Sequence, residues 1–93
     1  MIQHTVAFRL NDSADSKAFW AGVTTLEAIE GVQDFQTLRQ VGSKSSFTHA
    51  LSMHFESQAH YDGYNAHPDH VRFVEEFWLP NVAEFLELDY VSD

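Results

Sequence analysis

The feature that most limits the fold of this chain is a pair of strictly alternating segments, one at its start and one at its middle. In the first, Ile2, His4, Val6, Phe8 and Leu10 alternate with Gln3, Thr5, Ala7 and Arg9; in the second, Phe47, His49, Leu51, Met53 and Phe55 alternate with Thr48, Ala50, Ser52 and His54. Successive strand side chains point to opposite faces, so each segment reads as a strand with one buried face. Between them, Asn11-Asp12-Ser13 offers acceptors for helix N-terminal amides, and Phe19, Val23, Leu26 and Ile29, with Trp20 beside them, recur at helical spacing up to Gly31. Val32 to Val41 is mostly polar and weakly alternating, which suits a strand at a sheet edge, and Gly42-Ser43-Lys44-Ser45-Ser46 follows as the one loop-like cluster.

The second half repeats the scheme. Ser57 is an N-cap candidate for a short helix to about Asn65, broken near His67-Pro68 because the residue before a proline disfavours the α region. A further helical stretch from Asp69 turns Val71, Val74, Phe77 and Trp78 inward and stops at Pro80. Glu84 to Val91 closes the chain as a strand in which Leu86, Leu88 and Tyr90 alternate. The order βαββαβ is ferredoxin-like: an α+β fold with a four-stranded antiparallel-type sheet, in one domain spanning residues 1–93. Strands one and three are expected side by side and parallel at the sheet centre.

Their second face carries Thr, Ala, Ser, Gln and His where a solvated sheet would show Lys and Glu. So bland a face implies a cover, and the sheet of a second copy supplies one, giving a homodimer. A domain of this size also buries too little of its surface alone to be more than marginally stable.

Charge and composition remove several function classes. The net charge of −9 opposes binding to nucleic acid or an anionic membrane, and five Lys and Arg cannot form a phosphate-neutralising stripe. The acidity is concentrated in residues 47 to 93, with nine acidic side chains against one basic. Without Cys there is no disulfide, thiolate site or Cys nucleophile. The N-terminus lacks the pattern of a signal peptide and no apolar run approaches a membrane span, so a cytoplasmic protein is expected.

His4 and His49 interrupt the apolar faces of strands one and three, each near the start of its strand. In a parallel register they would lie at one sheet end about 5 Å apart, as a polar patch lining a pocket between sheet and helices. Taken singly, each is equally readable as a buried histidine satisfied by a carbonyl. The segment Tyr64-Asn65-Ala66-His67-Pro68-Asp69-His70 gathers a phenol, two imidazoles and a carboxylate, which suits either proton transfer near neutral pH or capping of a Pro-containing helix junction.

HTVAFRL after the start, GV at the end of helix one, FTHALSMHFES on strand three, YNAHPDH and the terminal LDY together resemble the stress-responsive A/B barrel (Dabb) family of dimeric α+β barrels over nearly the whole chain. The resemblance implies monomers paired sheet to sheet into a dimeric α/β barrel, each with a cavity between sheet and helices. One branch looks like plant polyketide cyclases that perform an intramolecular aldol condensation. By that likeness His70 is the general base, Asp89 its orienting partner and Tyr64 the donor to the substrate carbonyl, while His4 and His49 line the cavity and hold a small hydrophobic or phenolic ligand. No metal or cofactor is implied. The chemistry is coherent, since an aldol needs a proton removed beside a carbonyl and the enolate oxygen stabilised.

Two functions follow: a barrel of unassigned activity with a small-molecule cavity, or a cofactor-free cyclase, lyase or isomerase. A metal held by His67 and His70, which are three apart with Asp69 between them, is disfavoured, because Pro68 breaks the helical spacing and no third strong ligand is evident. Glu75-Glu76 reads as a solvated helix face, and Phe19, Trp20, Phe73, Phe77 and Trp78 as core.

Overall fold

A computed structural model describes all residues, 1–93. Strand β1 (Ile2–Leu10) leads to helix α1 (Ser16–Val23), a 3-10 turn (Leu26–Ala28) and strand β2 (Gln33–Arg39). Strand β3 (His49–Phe55) then precedes helix α2 (Gln58–Ala66), helix α3 (Pro68–Phe73), a π-helical stretch (Val74–Trp78), a last α turn (Leu79–Asn81) and strand β4 (Val82–Val91). The four strands form one sheet in the order β2-β3-β1-β4, and every adjacent pair is antiparallel. No helix is long and apolar enough to cross a membrane.

The expected arrangement holds in element order and in the edge position of β2, but β1 and β3 run antiparallel, not parallel. The crossover through α1 sets β2 parallel to β1, and the hairpin loop of residues 40–48 reverses β3 relative to both. His4 therefore pairs with Met53, while His49 pairs with Phe8. The two imidazoles share a face but stand four residues apart along the ladder, about 13 Å at ordinary strand rise.

Helix α1 is shorter than its apolar spacing suggests. Asp15 caps it by accepting from the Ala18 amide, and it ends at Val23, where the Thr24 and Thr25 hydroxyls donate to the Ala21 and Gly22 carbonyls at 2.7 Å each. Gly22 is required by packing: a Cβ there would lie 2.8 Å from the Phe77 ring. Helix α2 begins at Ser57 as expected, its side chain accepting from the His60 amide.

The final helix departs from expectation twice. It starts with Pro68 at its first turn, and its inward stripe is His70, Phe73, Val74, Phe77 and Trp78, which leaves Val71 exposed instead of inward. It also passes through Pro80. Proline has no N–H and its ring crowds the carbonyl four residues back; the wider π winding of Val74–Trp78 immediately before it relieves that conflict. Asn81 fixes the helix end, donating to the Phe77 carbonyl at 2.8 Å and accepting from the Asp15 amide at 3.1 Å.

All helices lie on one side of the sheet, and the core fills the space between. Val6, Phe8, Leu51, Met53 and Phe55 meet Phe19, Val23, Leu26, Tyr61, Tyr64, Phe73 and Trp78 there. The other face has no helix. Leu38, Ala50, Ala7 and Leu86 are register partners across all four strands and form an apolar row on it, flanked on β4 by Leu88 and Tyr90. The large side chains among these stay 41–51% exposed in the single chain.

Candidate functional site

His4 is the third residue of β1 and points to the helix side, where it is 6% exposed. Directly opposite it on β4 is Asp89, so both side chains leave the sheet on the same face. His4 Nδ1 lies 2.6 Å from Asp89 Oδ1. A carboxylate only accepts, so Nδ1 carries the proton and donates. Tyr61, from the first half of α2, donates its hydroxyl to Asp89 Oδ2 at 3.0 Å and sits 2.9 Å from His4 Nδ1. Its ring stacks on Phe55, with centroids 5.0 Å apart. Burial, then the Asp89 carboxylate, pushes the Tyr61 hydroxyl pKa up, so it remains a donor.

Tyr64 lies three residues on and faces the same way, since residues i and i+3 share a helix face. It is buried, packed against Phe55 and against His70 at a ring separation of 4.5 Å. Burial raises its hydroxyl pKa, reinforced by Tyr61 and Glu87, so it too stays protonated. His70 follows the α2–α3 junction, and its Nδ1 meets the Asn65 carbonyl at 3.1 Å. Carbonyls in the last turn of a helix lack intrahelical partners, and this one takes the His70 proton, which fixes the tautomer and leaves Nε2 with the lone pair. Burial lowers the His70 pKa, the Asn65 hydrogen bond opposes it, and His4 lowers it further.

These groups converge on a cavity of about 180 Å³ between β1, β3, β4 and the last helices, lined by His4, Tyr64, Asn65, His70, Trp78 and Glu87 among others. That volume suits one ring-sized molecule. No buried side-chain nitrogen or oxygen lacks a partner, so His4 Nε2 and Tyr64 Oη, which bond to no protein group, are reachable from the space their residues line. Two imidazole nitrogens able to take a proton and one phenol able to give a hydrogen bond thus border one apolar space. Such a set can remove a proton beside a carbonyl and stabilise the oxyanion formed.

The expected residues therefore separate. His4, Tyr64 and His70 line the cavity, whereas His49 stands at the far end of the sheet. His49 Nδ1 bonds to Thr48 Oγ1 at 2.8 Å, the ring packs on Trp20 and Phe8, and burial followed by Arg39 lowers its pKa. The antiparallel register removes it from the pocket. Asp89 bonds to His4 and Tyr61, and the His70 Nδ1 that it is expected to orient bonds to Asn65 instead. A carboxylate partner would raise the His70 pKa; burial, outweighing the neighbouring carbonyl and Glu87, lowers it. His67 and Asp69 serve the capping role: His67 Nδ1 accepts from the Asp69 amide at 3.0 Å, and Asp69 pairs with Arg72 at 3.2 Å. No three His, Asp or Glu side chains converge as metal ligands would. Tyr61 and Glu87 escape the sequence reading, although each has a signal: Tyr61 is one turn before Tyr64, and Glu87 is two residues before Asp89 on the same face of a strand.

A family model, the stress responsive A/B barrel domain, matches residues 2–92. The chain is 35% identical over 98 residues to a stress-response A/B barrel domain-containing protein of Arabidopsis thaliana, covering 100% of this chain and 37% of that protein. It thus spans little more than a third of that relative's length. A solved Dabb family protein with a ferredoxin-like fold from Mesorhizobium loti is 44% identical, with a TM-score of 0.91 over 98% of this chain and 95% of that one. The hydroxynitrile lyase of Passiflora edulis, at 21% identity, shares the fold, with a TM-score of 0.86 over 99% and 93% of the two chains. Three other structures of this fold, from Thermobifida fusca, Bacteroides fragilis and Jannaschia, are described as dimeric proteins of unknown function.

Proposed function

The chain belongs to the stress responsive A/B barrel domain family, and from that membership we propose that it is one half of a homodimeric barrel whose cavity serves cofactor-free acid–base chemistry on a ring-sized carbonyl compound. One observation carries the reading: His70 Nε2, His4 Nε2 and Tyr64 Oη, none bonded to protein, belong to residues lining the same small cavity. His70 takes the proton from the carbon beside the carbonyl, and Tyr64 donates to the oxygen as the enolate forms. His4, held in one tautomer by Asp89, is the second proton carrier. An enolate so formed attacks a second carbonyl within the same molecule, making a carbon–carbon bond, or is reprotonated. The imidazolium returns the proton in either case.

The reading is tested with cyclohexanone in D2O, following loss of its α-proton signals by NMR. Exchange above the buffer rate that disappears in His70→Ala supports it; exchange no faster than in buffer defeats it. A second reading is favoured by the cavity wall, where ten of fourteen residues are hydrophobic: a binding barrel without turnover. Ligand-induced shifts at Tyr64 and Trp78 without exchange would select that one.

Homodimerisation is proposed through the helix-free sheet face. The apolar row of Leu38, Ala50, Ala7 and Leu86, with Leu88 and Tyr90, offers a flat surface that a second sheet covers by face-to-face packing. The dimeric description of proteins sharing this fold supports dimerisation, and the apolar row supports this face as the seam.

A further inference from the structure

The cavity has an electrostatic bias that the acid–base reading does not use. Among its fourteen lining residues Glu87 is the one permanent charge, and none is Lys or Arg. The neighbouring acid, Asp89, is engaged by His4 and Tyr61. Glu87 forms no ion pair with any Lys, Arg or His. It lies opposite Val6 on edge strand β4, so its side chain leaves the inner face, and as an exposed residue it stands at the rim. Its charge reaches inward: both Tyr64 and His70 have their proton affinity raised by it.

Resting on the reading of this cavity as a site for a carbonyl compound, we infer that Glu87 is its specificity-determining residue, admitting neutral and cationic ring compounds and turning away carboxylates of the same shape. An unpaired carboxylate bordering apolar walls repels an incoming anion with little opposing charge nearby, and the walls screen that repulsion less than water does. A cationic ligand gains what an anionic one loses. Because Glu87 is exposed, the effect is moderate and sensitive to salt.

The test uses three ring ketones of different charge, 4-aminocyclohexanone, cyclohexanone and 4-oxocyclohexanecarboxylate, titrated by NMR at pH 7.5 and low ionic strength, with Glu87→Gln separating the effect of charge from that of the 4-substituent. The wild-type chain should bind the carboxylate about tenfold more weakly than cyclohexanone, and the amine at least as tightly as the ketone. Glu87→Gln should shrink the gap between ketone and carboxylate to about twofold, and Glu87→Lys should invert the ranking. Salt at 0.5 M should narrow the wild-type gap. A carboxylate that binds the wild type as well as cyclohexanone does, or a gap unchanged by Glu87→Gln, overturns the inference while leaving cyclohexanone binding, and so the carbonyl site, standing. Failure of all three to bind removes both.

Discussion

His4 Nδ1 and Asp89 Oδ1 lie 2.6 Å apart across the β1–β4 ladder, in a directly opposed pair whose side chains both leave the inner face of the sheet. The contact makes an edge strand part of the site: β4 delivers Asp89 to the imidazole and Glu87 to the rim of the cavity.

Asp89→Asn should release the His4 tautomer. The amide NH2 can be turned toward Nδ1, favouring the proton on Nε2, the nitrogen through which His4 acts as second proton carrier. Nitrogen-15 NMR of His4 should show Nδ1–H in the wild type and a shifted tautomer balance in the variant, with α-proton exchange reduced about tenfold or more. Urea unfolding should show a loss of about 1–2 kcal/mol, since a charge-assisted hydrogen bond at a partly exposed carboxylate is removed. An unchanged tautomer would refute the assignment.

Tyr64→Phe separates stability from chemistry. Its hydroxyl bonds to no protein group, so the variant should melt within about 0.5 kcal/mol of wild type, while exchange falls about a hundredfold if the phenol stabilises the enolate oxygen. A large loss of stability with unchanged exchange would reverse both halves of the prediction.

Two half-buried histidines set a pH dependence. His70 and His49 both have their pKa lowered in the folded chain, chiefly by burial. As pH falls below about 6.5 the unfolded chain binds protons first, so stability is full above that value, declines beneath it, and levels off once the folded imidazoles protonate. His70→Asn should reduce the slope of unfolding free energy between pH 7 and 5; a slope unaltered by the substitution would contradict the lowered His70 pKa.

Gly22→Ala opposes two effects of similar size. Alanine favours a helix over glycine by about 1 kcal/mol, but its Cβ would meet the Phe77 ring at 2.8 Å, and overpacking costs about 1–3 kcal/mol. The single variant should be destabilised. In a Phe77→Ala background the same change should become stabilising, a reversal of sign readable by thermal melts.

Leu88→Lys tests the sheet-to-sheet dimer. It places a charge beside the apolar row of Leu38, Ala50, Ala7 and Leu86, and light scattering at micromolar concentration should show a dimer for wild type and a monomer for the variant. A monomeric wild type would refute the covered face.

Much of this is legible in the chain itself. Alternation marks β1 and β3 because their buried side chains leave one face; the sparse apolar residues of β2 mark an edge; and Ser57 and Pro68 mark the junction around α2. What escapes depends on direction and on distance. Alternation carries no sign for a strand, so only the register, with Phe8 opposite His49, separates that imidazole from His4. The partner of Asp89 is equally hidden, because spacing does not say which imidazole a strand residue meets across the sheet. Pro80 reads as a stop because local rules assume α winding, and Val71 reads as core because it lies three residues before Val74, whereas the inward stripe runs through His70 and Phe73.

The broad coil ahead of Pro80 has a bearing on how this architecture diversifies. It holds a surplus residue in the wall beside the pocket, where Val74, Trp78 and Leu79 stand. Deleting one residue there would tighten the coil and swing those three side chains by about a quarter-turn, recontouring the chamber while leaving the sheet in place. A lineage built on this scaffold can therefore retool what it accommodates through one-codon gains and losses, without exchanging a single side chain of its proton-handling set.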